Sequence, residues 1–269
     1  MNATRKAKPF WRRTKPPKSR DISLLRPSSL DKGIRFETAA DAIAESLRSE
    51  RLLACTNRSS LPEQYLSECR AGYYHCEKTY CPICARDFRR WFIGELLRIV
   101  EQCEWRSQLV TLLLEKSQNL HDLRPEDYRP LLRRRLDQAG LHDTPVIGGF
   151  EMVYRAQDKS WVLHINLLFL GSAKLALNRF VDSLGSDNFV RPTQTVPLRD
   201  LPEQLSYLLK FTTYHRPFRQ TGPKRSPAKP LNAREHVALV TWMSKYKFTD
   251  MMFLNRVRRE GHRLRPRLE

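Results

Sequence analysis

Apolar and polar positions alternate along this chain with two different periods, one helical and one extended. Residues 37–50 (ETAADAIAESLRSE) have helical composition, and residues 86–103 carry Trp91, Leu96, Leu97 and Val100 as an apolar stripe that predicts another helix. The pattern then changes. Residues 108–114 (QLVTLLL) predict a buried strand. Residues 125–139, opened by Pro125-Glu126-Asp127 and closed by Gly140, predict a helix. Residues 146–155 and 160–170 predict two strands joined by a polar turn at 156–159. A helix at 173–184 closed by Gly185, a short strand near 189–196 and a helix over about 200–214 follow. A small helical segment is expected at 233–260.

The first six elements after residue 107 run strand, helix, strand, strand, helix, strand. That order predicts an α+β fold, a split βαβ antiparallel sheet with helices on one face. The other face is then free to bind something. Along 161–170, Val162, His164, Asn166 and Leu168 share one face, while Trp161, Leu163, Ile165, Leu167 and Phe169 share the other. The second set is wholly apolar and belongs against the helices, so His164 and Asn166 are expected on the open side. The hairpin register decides whether Glu151 joins them: directly opposite His164 or Asn166 it completes a candidate Mn²⁺ or Mg²⁺ site, and a slip of one residue moves it to the wrong face. The plain alternative is a half-buried histidine whose hydrogen bonds are satisfied by protein.

On the helix expected at 200–214, Glu203, Tyr207, Lys210 and Tyr214 fall on one stripe. A carboxylate, a phenol and an ammonium in line are unusual for a face meant only to pack. A nearby cation favours the phenolate and can neutralise a phosphate. Tyr214 is assigned to packing.

Composition narrows the partners. With 41% hydrophobic residues the 269-residue chain has enough apolar matter for a core, and its net charge of +19 attracts polyanions. The first twenty residues hold eight Lys or Arg and no acid, and residues from 256 onward hold Arg256, Arg258, Arg259, Arg263, Arg265 and Arg267. Both are expected to lie along phosphates. No apolar run approaches the roughly 20 residues that span a bilayer, so the chain is expected to be soluble and cytoplasmic, with no membrane partner. The expected organisation is a basic arm at 1–35, a helical and zinc-binding region at 36–104, a catalytic-type α+β domain at 105–216, and a basic linker, helical segment and tail at 217–269.

Four of the six cysteines, Cys69, Cys76, Cys81 and Cys84, fall within sixteen residues, and the last two form a Cys-Pro-Ile-Cys pair. Such a tight pair lets two thiolates reach one zinc ion about 2.3 Å away. Cys76 and one of Cys69, Cys55 or His75 are the candidates for the remaining two ligands. A complete thiolate set leaves no open coordination position, so the site would be structural.

In order along the chain, these motifs resemble the rolling-circle replication initiators of small bacterial plasmids, within the HUH endonuclease superfamily. Cys76-x4-Cys81-Pro-Ile-Cys84 is similar to their zinc element. Trp161-Val-Leu-His164-Ile-Asn166 is similar to their metal motif, with Asn166 where the family has its second histidine and Val162 where a further histidine stands. Tyr207-Leu-Leu-Lys210 matches their Y-x-x-K motif, and residues 109–114 sit where their first motif lies. The resemblance covers roughly residues 69–216. It implies an HUH nuclease-like fold and a metal-dependent tyrosine nuclease that nicks and joins single-stranded or hairpin origin DNA, with a host helicase and polymerase as partners. It implies Tyr207 as nucleophile, Lys210 as its electrostatic partner and Glu203 as general base. Mn²⁺ or Mg²⁺ would sit on His164 and Asn166, joined by Glu151 if the hairpin register allows, and structural Zn²⁺ on Cys76, Cys81 and Cys84, with Cys69 as the fourth ligand unless Cys55 or His75 takes that place. Asn166 leaves a zinc-containing DNA-binding regulator without cleavage as the alternative, with a related transposase as a third. An RNA-binding sheet would need exposed aromatics beside His164, and the sequence places none there.

Overall fold

Residues 107–197 build most of one sheet. The computed structural model describes residues 38–55, 61–73, 75–102, 107–184, 189, 193–198, 201–211, 214–215 and 229–267, with the side chains of 61, 201–203 and 214–215 outside that description. The expected arm at 1–35 and residues 217–228 of the expected linker lie outside it. The helices before the sheet are α1 (Ala39–Ala54), α2 (Leu61–Arg70) and α3 (Pro82–Gln102). The sheet then forms from β1 (Ser107–Ser117), α4 (Pro125–Ala139), β2 (Val146–Arg155), β3 (Ser160–Leu170), α5 (Lys174–Ser183) and β4 (Thr193–Pro197). These strands lie in the order β4-β1-β3-β2, all antiparallel, as a split βαβ unit requires. The expected hairpin and its four-residue turn are present, and α4 ends at Gly140, which adopts φ 79 and closes the helix in the left-handed region.

The apolar face of β3 meets the helices as expected. Phe169 packs edge-to-face on Phe180 of α5 with ring centroids 5.5 Å apart, and Arg129 of α4 lies over the Phe150 ring. The opposite face is not open. After the sheet come α6 (Leu201–Ser206), the two-residue strands β5 (Tyr214–His215) and β6 (Lys229–Pro230), α7 (Ala233–Met243) and the short α8 (Phe248–Met251). Residues 207–211 cross the second face so closely that a Cβ on Gly149 would collide with the Leu208 carbonyl oxygen and the Leu209 side chain. Arg89 of α3, fully buried, donates to the Ser206 carbonyl over the same region at 2.9 Å. Every residue of β3 is buried. The expected free face is therefore covered by α3 and by the chain that follows α6.

The C-terminal region also departs from expectation. Helix occupies only part of 233–260. The chain then enters the sheet as β7 (Met252–Asn255), antiparallel to β2 and completing five strands. The expected basic tail is a hairpin, β8 (Val257–Glu260) and β9 (Arg263–Pro266). One buried core runs from Ala42 and Leu53 of α1, through the central strands, to Leu264 of β9. Helix α1 is held to α7 through a polar seam. Glu45 and His236 are buried there, and Arg48 links Glu45 (2.6 Å) to His236 Nδ1 (3.2 Å).

Candidate metal centre and tyrosine site

The cysteines converge where α2 ends and α3 begins. Cys69 lies in the last turn of α2, and Gly72 with φ 78 lets the chain reverse. Helix α3 starts at Pro82, earlier than expected, because proline's fixed φ suits the first helical position. That places Cys81 just before the helix and Cys84 in its first turn. The four sulfurs all lie within 4.8 Å of one another and are buried, with Cys69–Cys84 and Cys76–Cys84 each 3.9 Å apart. A tetrahedral ion with sulfurs at about 2.3 Å has S···S edges of roughly 3.8 Å, so the spacing is that of a four-thiolate metal site and is compatible with structural zinc. Cys55 is exposed and apart from the cluster, and His75 Nδ1 stands 4.0 Å from Cys84 Sγ at its margin. Cys103 lies outside the described residues. The thiols cannot all ionise unaided. Hydrogen bonds from Cys76, Cys81 and Cys84 hold Cys69 far below an ordinary thiol, burial pushes Cys81 up, and its bond with Cys69 pushes Cys84 up. Four thiolates here need a cation. The cluster loop is fastened to the end of α7 by Thr79 Oγ1 and Lys78 Nζ, each donating 2.9 Å to the carbonyls of Met243 and Ser244.

The second site joins three separated segments. Glu151 of β2 is paired with His164 of β3 in the sheet register, and His164 Nε2 lies 3.0 Å from Glu151 Oε2. Glu151 Oε1 accepts the Lys210 backbone N–H at 2.6 Å. Asn166 donates through Nδ2 to the Tyr207 carbonyl at 2.9 Å and accepts through Oδ1 from Thr111 Oγ1 at 2.7 Å. These bonds explain why the helix expected over 200–214 stops at Ser206. In a continued helix the Lys210 N–H would bond the Ser206 carbonyl and the Phe211 N–H the Tyr207 carbonyl. Arg89 takes the first carbonyl, Asn166 the second, Glu151 takes the Lys210 N–H, and Phe211 turns to φ 50. The stripe Glu203-Tyr207-Lys210-Tyr214 is therefore not a helical face. Tyr207 and Lys210 are nonetheless together, with Lys210 Nζ 3.5 Å from the Tyr207 ring centroid. The side chains of Glu203 and Tyr214 lie outside the described residues.

The strand residues of the site are buried. His164 and Asn166 are each 8% exposed and Glu151 6%, while Tyr207 and Lys210 are half-buried. One carboxylate, one imidazole and one amide oxygen with a lone pair remaining beside the Thr111 bond are ligand types that could hold a divalent cation. His164 Nδ1 is buried without a hydrogen-bond partner among the described residues, a cost that a bound cation would relieve. Sequence reasoning missed Thr111, Arg89 and Gly149. Only the last left a signal, since a glycine inside a strand marks close approach of another backbone. No family model, curated protein or solved structure matches the chain.

Proposed function

We propose that this chain is a metal-dependent tyrosine nuclease acting on single-stranded or hairpin DNA, as a rolling-circle replication initiator, with a structural zinc at Cys69, Cys76, Cys81 and Cys84. One observation carries the reading: residues 207–210 are pinned by backbone hydrogen bonds directly onto His164, Asn166 and Glu151. The backbone that carries Tyr207 and Lys210, whose side chains stack on each other, thus lies against an imidazole, an amide and a carboxylate from two strands. A Mn²⁺ or Mg²⁺ ion held by His164, Asn166 and Glu151 would supply polarisation of the scissile phosphate. Tyr207 attacks phosphorus in line, forming a 5′-phosphotyrosine and releasing a 3′-hydroxyl. Lys210, already over the ring, favours the phenolate and offsets phosphate charge. Glu203 would serve as base for the water that ends the cycle.

The test is a denaturing gel of the protein with Mn²⁺ and single-stranded fragments of its own replicon. A covalent protein–DNA adduct that vanishes in Tyr207→Phe and with EDTA is expected. An adduct that persists in Tyr207→Phe overturns the assignment of the nucleophile.

Asn166 gives a second reading its footing. Both ends of its amide are occupied by protein, a structural role that a regulator without cleavage would retain. In that case no adduct forms, DNA still binds, and Asn166→His restores cleavage.

A further inference from the structure

Residues 256–267 hold six arginines and one glutamate and contain no Phe, Tyr or Trp. They form the β8–β9 hairpin around a two-residue loop whose Gly261 adopts φ 58. The register sets Arg258 directly opposite Arg265, while Leu264, opposite Arg259, is fully buried. Facing like charges on paired strands are unfavourable. A single carboxylate, Glu260, holds both guanidiniums at 2.7 Å, one negative charge against two, and their side chains stay 56% and 63% exposed.

The ribbon is rigidly mounted. Buried Glu95 of α3 accepts from Arg263 (2.8 Å) and from the Leu264 N–H (2.9 Å), and Arg98 donates to the Leu264 carbonyl at 2.6 Å. The Trp91 indole donates to the His262 carbonyl at 2.8 Å. At the root, Arg256 adopts φ 50 and bonds Asp143 at 2.6 Å. An under-neutralised arginine pair held on a fixed ribbon, with its apolar residues turned inward, is built to meet a polyanion.

We infer that the β8–β9 hairpin docks on duplex DNA, at a surface separate from Tyr207, and that it does so whether or not Tyr207 cleaves. Shape and chemistry select the partner. Two strands of four residues are about 13 Å long and about 4.8 Å apart, and the B-form major groove, about 12 Å wide, admits a two-stranded ribbon. Duplex RNA has a major groove too narrow for it. Single strands are gripped by stacking on aromatic rings, which this hairpin lacks. Guanidiniums also bind phosphate bidentately.

The test compares the full chain with Arg258→Ala/Arg265→Ala by fluorescence anisotropy on a random-sequence DNA duplex, a DNA single strand and an RNA duplex of equal length across a salt series. Affinity for duplex DNA falls roughly tenfold or more, and the slope of log K on log salt drops by about 1.8, at about 0.9 per lost phosphate contact. Single-strand affinity stays unchanged, and Arg258→Lys/Arg265→Lys, which keeps the charge, retains the slope. Unchanged affinity and slope on duplex DNA overturn the inference. So does an equal loss on all three nucleic acids, or a larger loss on RNA.

Discussion

Acidification should loosen α1 from α7 through one residue. His236 is fully buried, and burial first, with the Arg48 charge second, lowers its pKa from 6.5 to about 4. Glu45 is the opposing carboxylate, and it works in the other direction. The Arg48 guanidinium donates to Nδ1, so the ring is held neutral with its proton on Nε2. In the unfolded chain the imidazole protonates near its ordinary value. Between the two pKa values the unfolded state binds more protons, so stability rises with pH across that window. The contribution is complete above about pH 6.5 and is lost as pH falls towards 4. From pH 7 to 4.5 the loss is roughly 2.5 kcal/mol at 1.36 kcal/mol per unit, a sizeable part of a typical 5–15 kcal/mol. Other groups titrate over the same range, so the assay is a difference. Urea unfolding of the native chain and of His236→Gln is followed at pH 7 and at pH 4.5. The native chain should lose roughly 2 kcal/mol more than the variant. Equal losses in the two proteins would refute the assignment of the buried neutral imidazole.

Two further outcomes follow from the two sites. Gly149→Ala drives a methyl group into the Leu208 carbonyl and Leu209, so residues 207–211 must rise from the sheet. Overpacking of this kind costs about 1–3 kcal/mol, read as a lower urea midpoint together with loss of the covalent adduct; a midpoint equal to that of the native chain would show that the segment does not lie there. Elemental analysis should find one zinc per chain. Cys81→Ser should lose it and unfold at a markedly lower temperature, since metal binding to such a set is worth several kcal/mol of folding, and full zinc retention in that variant would exclude Cys81 as a ligand.

Much of the sheet could be read in the sequence because its signals are local. The hairpin of β2 and β3 follows from alternation around a polar turn, and with its register settled, Glu151 meets His164. The cysteine cluster was equally legible, because a tight pair and two nearby thiols have few ways to lie. What escaped is tertiary. Nothing between 200 and 214 announces that Arg89, Asn166 and Glu151, distant in sequence, will take the hydrogen bonds a helix needs at Ser206, Tyr207 and Lys210. The run Met252–Asn255 is too short for periodicity to separate strand from helix. Alternation likewise predicts which side chains share a face of β3, but not what covers that face.

Strand β7 also sets the order in which the molecule can be completed. Val146 of β2 pairs with Asn255, more than a hundred positions downstream, so the outer edge of β2 has no partner while the intervening chain is being made. A newly synthesised chain therefore carries an unpaired apolar strand edge from the completion of β2 at Arg155 until Met252–Asn255 are made, the kind of surface on which nascent proteins pair with one another. Closing that edge is a long-range and hence slow step. Production of this protein should then be limited less by the stability of the finished sheet than by how long its unfinished edge is shielded, and a chaperone that occupies β2 until residues 252–255 emerge would raise the yield without altering the native state.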